Sequence, residues 1–130
     1  FYHVHDKESA LREAYRVLAD GGTLVFDDLT KPKAEISANA KTYVYDRLLF
    51  DTEFSFHSYQ DALRDAGFQI TEALDLSQHL RTSYQCLSQV ARAHGEQHGE
   101  EYLNLSAAYG RMVEAIECSE LGWGLYVCRK

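Results

Sequence analysis

Apolar positions along this chain recur at two spacings, and the switches between them mark its elements. Leu11, Ala14 and Leu18 fall on one face at helical spacing, with Asp6 as a candidate N-cap and Glu8 in the first turn. Gly21 and Gly22 end that helix. Thr23 to Phe26 then predicts a short strand, apolar enough to be covered on both faces as in a parallel sheet, and it stops on Asp27 and Asp28. In an alternation of helices and strands, the carboxyl end of a strand is where open α/β sheets hold their ligands.

From Leu29 to Phe56 the periodicity weakens. Pro32 and scattered Lys, Ser and Asn predict a loop before the aromatic and apolar run TYVYDRLLF, too long for an idle connection. Ser58 predicts a cap, with Asp61 three residues on, Leu63 and Ala66 inward and Gly67 in the left-handed position at the helix end. Phe68, Ile70, Leu74 and Leu76 sit at alternate positions of a strand that Glu72 interrupts.

Two helices are expected between Ser77 and Glu120. The first carries Leu80, Tyr84, Leu87 and Val90 or Ala91 in register, the second Tyr102, Leu105, Tyr109, Met112 and Ile116, with HGEQHG between them. WGLYVC, Trp123 to Cys128, predicts a last strand. No internal repeat, low-complexity tract or domain boundary stands out, so residues 1–130 read as one unit with a helical insertion over about 77–120.

Composition narrows the class of function. With 45% hydrophobic and 25% charged residues the chain is globular in type, and no segment approaches the roughly 20 continuous apolar residues of a membrane helix. One core is expected, burying about two thirds of the surface the unfolded chain exposes. A formal net charge of −7 argues against nucleic acid as a partner, which draws on clustered Lys and Arg. The three cysteines, Cys86, Cys118 and Cys128, are odd in number and widely spaced, which suits free buried thiols and a cytoplasmic location. The chain opens on Phe1 and has no methionine before Met112, so it reads as the later part of a longer protein.

The order of these pieces resembles the carboxyl half of class I S-adenosylmethionine-dependent methyltransferases. FYHVHDKESALREAYRVLADGGTLVFDD is similar to the family's helix, glycine turn and fifth strand, with Asp20 where proline is common; DAGF resembles the entry to the sixth strand and GWGLYVCRK the closing strand. Within the family the likeness leans towards sarcosine and dimethylglycine N-methyltransferases, on VFDDLT, YDRLLFDTEFSFHSYQDALRDAGF, HLRTSYQCL and LGWGLYVCRK. The fold class this implies is α/β: the C-terminal part of a Rossmann-like sheet, strands five, six and seven with the seventh antiparallel between the others, plus an inserted helical lid. The family's glycine-rich loop and the acidic residue that holds the cofactor's ribose have no counterpart in these residues.

The resemblance implies S-adenosyl-L-methionine as cofactor and a small-molecule acceptor, an amine such as a glycine derivative, with no nucleic acid and no membrane involved. It places His3 and Val4 beside the cofactor's amino-acid end and methyl. Asp28 would face the acceptor amine, Arg47 or Arg81 would pair with an acceptor carboxylate, and Tyr43 and Tyr84 would wall the pocket. Each has a plainer reading beside it. His3 is then a strand-end histidine, Asp27 and Asp28 a capping or loop pair, the arginines surface ion pairs, and the tyrosines core or rim aromatics. Trp123 reads as packing. His94 and His98 have the spacing of a metal pair but no evident third ligand, so no metal is expected. A strand edge left without its fourth-strand neighbour would favour a homodimer through that edge or through the helical insertion. The rival function is a noncatalytic, methyltransferase-like module that binds a protein through the same insertion.

Overall fold

Asp6 accepts a hydrogen bond from the Ser9 amide at 2.9 Å, so helix α1 (Lys7–Val17) starts at the cap its sequence offers. The computed structural model of the chain describes residues 1–50 and 52–130, with His98 by its backbone alone. Gly21 turns the chain at a φ of +74°, and strand β1 follows over Thr23–Thr30. That is four residues beyond the predicted end at Phe26. The acidic pair does not stop the ladder, because Asp27 and Asp28 stand opposite Leu125 and Gly124 of β3 (Gly122–Arg129), and backbone pairing is indifferent to side-chain charge.

Strand β2 (Gln69–Asp75) lies on the other side of β3. The order is β1-β3-β2 with β3 antiparallel to both neighbours, so β1 and β2 run parallel to each other, the arrangement expected from the sequence. A bulge between Ile70 and Glu72 corrects the alternation read for β2. Thr71 is the extra residue, its hydroxyl donating to the Val127 carbonyl at 3.0 Å. Ile70 and Ala73 therefore share the face of Cys128 and Tyr126, while Leu74 opposes Leu125 on the other face and is exposed.

The stretch read as a loop holds short helical pieces: α2 (Ala38–Ala40), a π-helical turn (Lys41–Tyr45) and α3 (Asp46–Leu48). Tyr45 is what fastens them, donating its hydroxyl to the Glu120 carbonyl at 2.6 Å from a buried position. Asp51 of the quoted run falls outside the described residues. The N-cap of helix α4 (Phe56–Asp65) lies three residues before the predicted one. Ser55 is the N-cap: its hydroxyl accepts from the Ser58 amide at 3.1 Å, and the Ser58 hydroxyl accepts from the Ser55 amide at 2.9 Å. Ser58 is thus the returning partner of a capping box.

Helices α5 (Ser77–His98) and α6 (Glu100–Glu117) form a hairpin joined by Gly99 alone, not by the six-residue break expected at HGEQHG. Gly95 stays inside α5 because Leu103 packs against it; a β-carbon there would stand 2.8 Å from the Leu103 Cδ2. Ser88 and Ser106 tie the two helices, the Ser106 hydroxyl donating to the Ser88 carbonyl at 2.7 Å and the Ser88 hydroxyl to the Ser106 carbonyl at 2.9 Å. Near the body Met112 and Ile116 are buried, but Leu87, Val90, Tyr102 and Leu105 of the predicted stripes are exposed. Among the described residues, α5 and α6 pack chiefly on each other.

Two apolar clusters replace the single core expected. Leu11, Tyr59, Leu63, Phe68, Tyr126 and Cys128 fill the space where α1 and α4 cover one sheet face. Leu29, Val44, Tyr45, Phe50, Met112, Ile116 and Leu121 form the other, where the short helical pieces and α6 meet the strand end. All three cysteines are free, but only Cys128 is buried. Among the described residues no helix is long and apolar enough to cross a membrane.

Candidate functional site

A cavity of about 290 Å³ opens at the carboxyl end of β1. Asp27, Asp28 and Leu29 form its floor, Tyr84 and Leu80 of α5 one wall, and Trp123 of β3 another. Phe1, Tyr2 and Leu48 complete the lining. The acidic end of the strand therefore does border a pocket.

Asp28 is the unusual member. Its side chain lies on the face covered by α4, at 3% exposure, and its Oδ2 accepts a hydrogen bond from the Tyr59 hydroxyl at 2.7 Å. Oδ1 is, among the described residues, the one buried side-chain polar atom with no hydrogen-bond partner. Burying half a carboxylate unsatisfied costs free energy, and folds retain such groups where another molecule completes them. Burial pushes the Asp28 carboxyl above the usual carboxylate range. The Tyr59 hydroxyl, Lys7 and the Leu29 amide pull it back in part. Tyr59, itself buried and facing that carboxylate, is held far above the usual phenol range and stays a donor.

Asp27 does a different task. Its Oδ1 accepts from the Trp123 indole nitrogen at 3.0 Å, which fixes that ring beside the cavity. Tyr84 is half-buried, and burial raises its phenol above the ordinary range; the nearby charge of Arg47 lowers it and Tyr2 raises it further. Arg47, exposed on α3, thus stands close enough for its charge to be felt at the cavity wall, although it is not part of the lining.

The remaining expected residues sit outside. Tyr43 is exposed and carries the Arg111 guanidinium 4.8 Å from its ring centre. Arg81 donates through Nε to Glu117 at 2.8 Å and through Nη1 to Gln85 at 3.1 Å, clamping α5 to α6. His3 lies against Tyr2 with ring centres 4.1 Å apart and planes tilted by 43°, and the Val4 carbonyl accepts from Lys7 Nζ at 2.6 Å; neither lines the cavity. Sequence reading passed over Phe1, Tyr2, Leu48 and Leu80 and took Trp123 for packing. The aromatic pair ahead of His3 was the available signal. His94 packs on Tyr102 at 4.5 Å, and the side chain of His98 lies outside the described atoms.

A larger concavity of about 580 Å³ lies beyond Phe50, whose ring meets Tyr2 edge-on at 6.2 Å. Its lysines are already engaged, Lys31 with Glu53 at 3.0 Å and Lys41 with Asp46 at 3.2 Å. The smaller cavity, with its unsatisfied carboxylate, is the better candidate site.

No protein-family model matches the chain. The sarcosine/dimethylglycine N-methyltransferase of Halorhodospira halochloris is 30% identical over 142 aligned residues, covering all of this chain and 48% of the relative. A solved structure from Galdieria sulphuraria, assigned as a sarcosine dimethylglycine methyltransferase, superposes with a TM-score of 0.84 at 19% identity, covering 100% of this chain and 49% of that one. The chain has the fold of the carboxyl half of a class I methyltransferase. The phosphoethanolamine N-methyltransferase 2 of Haemonchus contortus, solved with phosphomonomethylethanolamine and S-adenosylhomocysteine, aligns at a TM-score of 0.81 and 16% identity, over 99% of this chain and 31% of that one. This methyltransferase half-fold spans about half the length of the Halorhodospira relative, and it contains no G-x-G-x-x-G loop.

Proposed function

We propose that this chain builds the acceptor side of an S-adenosylmethionine-dependent methyltransferase whose acceptor is a small amine of the glycine-derivative class. The observation that carries the reading is Asp28, a buried carboxylate with one oxygen unsatisfied beside a cavity at a strand's carboxyl end. S-adenosylmethionine supplies an electrophilic methyl on a positively charged sulfur. In transfer to a neutral amine that positive charge passes to nitrogen, so a fixed carboxylate beside the nitrogen favours the charge where it develops. The orphaned anion suits such a cationic partner.

The other residues fall into place around it. Tyr84 and Trp123 offer aromatic walls of the kind that hold ammonium groups. Arg47, close enough for its charge to reach Tyr84, would meet an acceptor carboxylate with its planar fork. His3 and Val4, in the turn that brings Tyr2 to the cavity, would meet the amino-acid end of the donor. Much of what would hold that donor, a glycine-rich loop above all, has no counterpart in these residues, so affinity for it should depend on further sequence. The hairpin of α5 and α6 would serve as the lid.

The exposed stripe of Leu87, Val90, Tyr102 and Leu105 on that hairpin favours a second reading, a noncatalytic module that binds a protein. Calorimetric titration of S-adenosylmethionine against this chain, and against a fusion to the amino-terminal half of the Halorhodospira relative, separates the two. Binding by the fusion, with transfer of labelled methyl to dimethylglycine that Asp28→Asn abolishes, supports the enzyme. Absence of donor binding by both supports the module.

A further inference from the structure

Tyr59 belongs to α4 and does not line the cavity, yet its hydroxyl reaches Asp28 Oδ2 at 2.7 Å. It has no room to rotate away. Phe54, Tyr126 and Phe26 surround it, with ring centres 4.9, 5.1 and 5.7 Å off, and the side chain is wholly buried. A carboxylate tied at one oxygen by a donor that cannot move has the direction of its other oxygen settled as well, and a short charge-assisted bond favours its ionised form. Asp28 meets both conditions.

We infer that Tyr59 is a positioning residue for the methyl acceptor, fixing Oδ2 of Asp28 so that Oδ1 is held for the acceptor nitrogen. This rests on reading the cavity as the acceptor pocket. Besides the Tyr59 hydroxyl, the charge of Lys7 on α1 and the Leu29 amide on its own strand act on Asp28. Tyr126 of β3 feels the charge of Asp28 in turn, and Asp75 of β2 acts on Tyr126. Tyr126 supplies the control, since its own hydroxyl bond, 3.4 Å to the Phe56 carbonyl, does not touch Asp28.

The test follows the Asp28 carboxyl by carbon NMR across pH, and binding of N,N-dimethylglycine by calorimetry, in the full 130-residue chain and its variants. Tyr59→Phe is expected to move the Asp28 midpoint upward and to weaken dimethylglycine about tenfold, with the acid limb of binding shifted to higher pH. Tyr126→Phe should leave both near the wild type. A cycle with Asp28→Asn adds a reading that a purely structural role would not give: the double variant should bind no more weakly than Asp28→Asn alone. Equal behaviour of Tyr59→Phe and Tyr126→Phe, or additive losses in the cycle, overturns the positioning role. If the wild-type chain does not bind dimethylglycine although Tyr59→Phe still moves the midpoint, the acceptor reading fails and the positioning role with it.

Discussion

Trp123 donates its indole N–H to Asp27 Oδ1 at 3.0 Å, from a strand ninety-six residues further along the chain. The two side chains share the sheet face away from α4, because Trp123 stands opposite Leu29 and Asp27 opposite Leu125. The bond turns an acidic strand end and a lone tryptophan into one wall of the cavity.

Removing the acceptor should free the ring. Asp27→Ala is expected to shift the fluorescence of the single tryptophan to longer wavelength and to cost about 1 kcal/mol of stability, in line with one partly exposed hydrogen bond. Emission spectra and denaturant unfolding of the two proteins check it; an unchanged spectrum would mean that packing alone holds the indole.

Asp28 makes stability depend on pH in a stated direction. Its folded-state carboxyl is raised above the unfolded value, so the folded protein binds the proton more tightly, and stability is lost as pH rises through the folded value. Asp28→Asn removes that loss. The variant should gain more in melting temperature, relative to wild type, at pH 7 than at about pH 3, below the ordinary aspartate value, while losing acceptor binding. Equal differences at the two pH values would contradict the assignment.

The thiols should divide by burial. Cys128 is buried and its thiol is pushed up to about 11, whereas Cys86 and Cys118 are exposed. A maleimide at neutral pH is therefore expected to add two labels to the native chain and three after denaturation, counted by intact mass. Rapid native labelling at Cys128 would argue that β3 opens.

Gly95 lets α5 and α6 close on each other. Gly95→Val would press its side chain into Leu103 and is expected to cost roughly 1–3 kcal/mol by overpacking. Gly95→Val combined with Leu103→Ala should recover part of that loss, as thermal unfolding would report. Gly110, with open space at the position of a β-carbon, is the comparison: Gly110→Ala should be neutral or stabilising.

How much of this was legible in the sequence can be judged element by element. The Asp6 cap, the helix end at Gly21, the left-handed position of Gly67 and the strand type of Trp123 to Cys128 were all readable, since each depends on a few neighbouring residues. Where reading failed, a contact from elsewhere intervened. The bulge at Thr71 answers to Val127, the helical form of the stretch after Pro32 to Tyr45 and Glu120, and the intact Gly95 to Leu103.

The sequence by itself determined the order of the longer helices and strands and that paired acids lie towards the carboxyl end of a strand, because caps, glycine conformations and apolar spacing act over one or two turns of chain. Only the tertiary structure decided that one of those acids is half satisfied by Tyr59, that the other holds Trp123, and that Tyr2 and Tyr84 meet beside them. These pairings join residues thirty-one, ninety-six and eighty-two positions apart, and the direction of a buried side chain at such range is set by packing that no local pattern records.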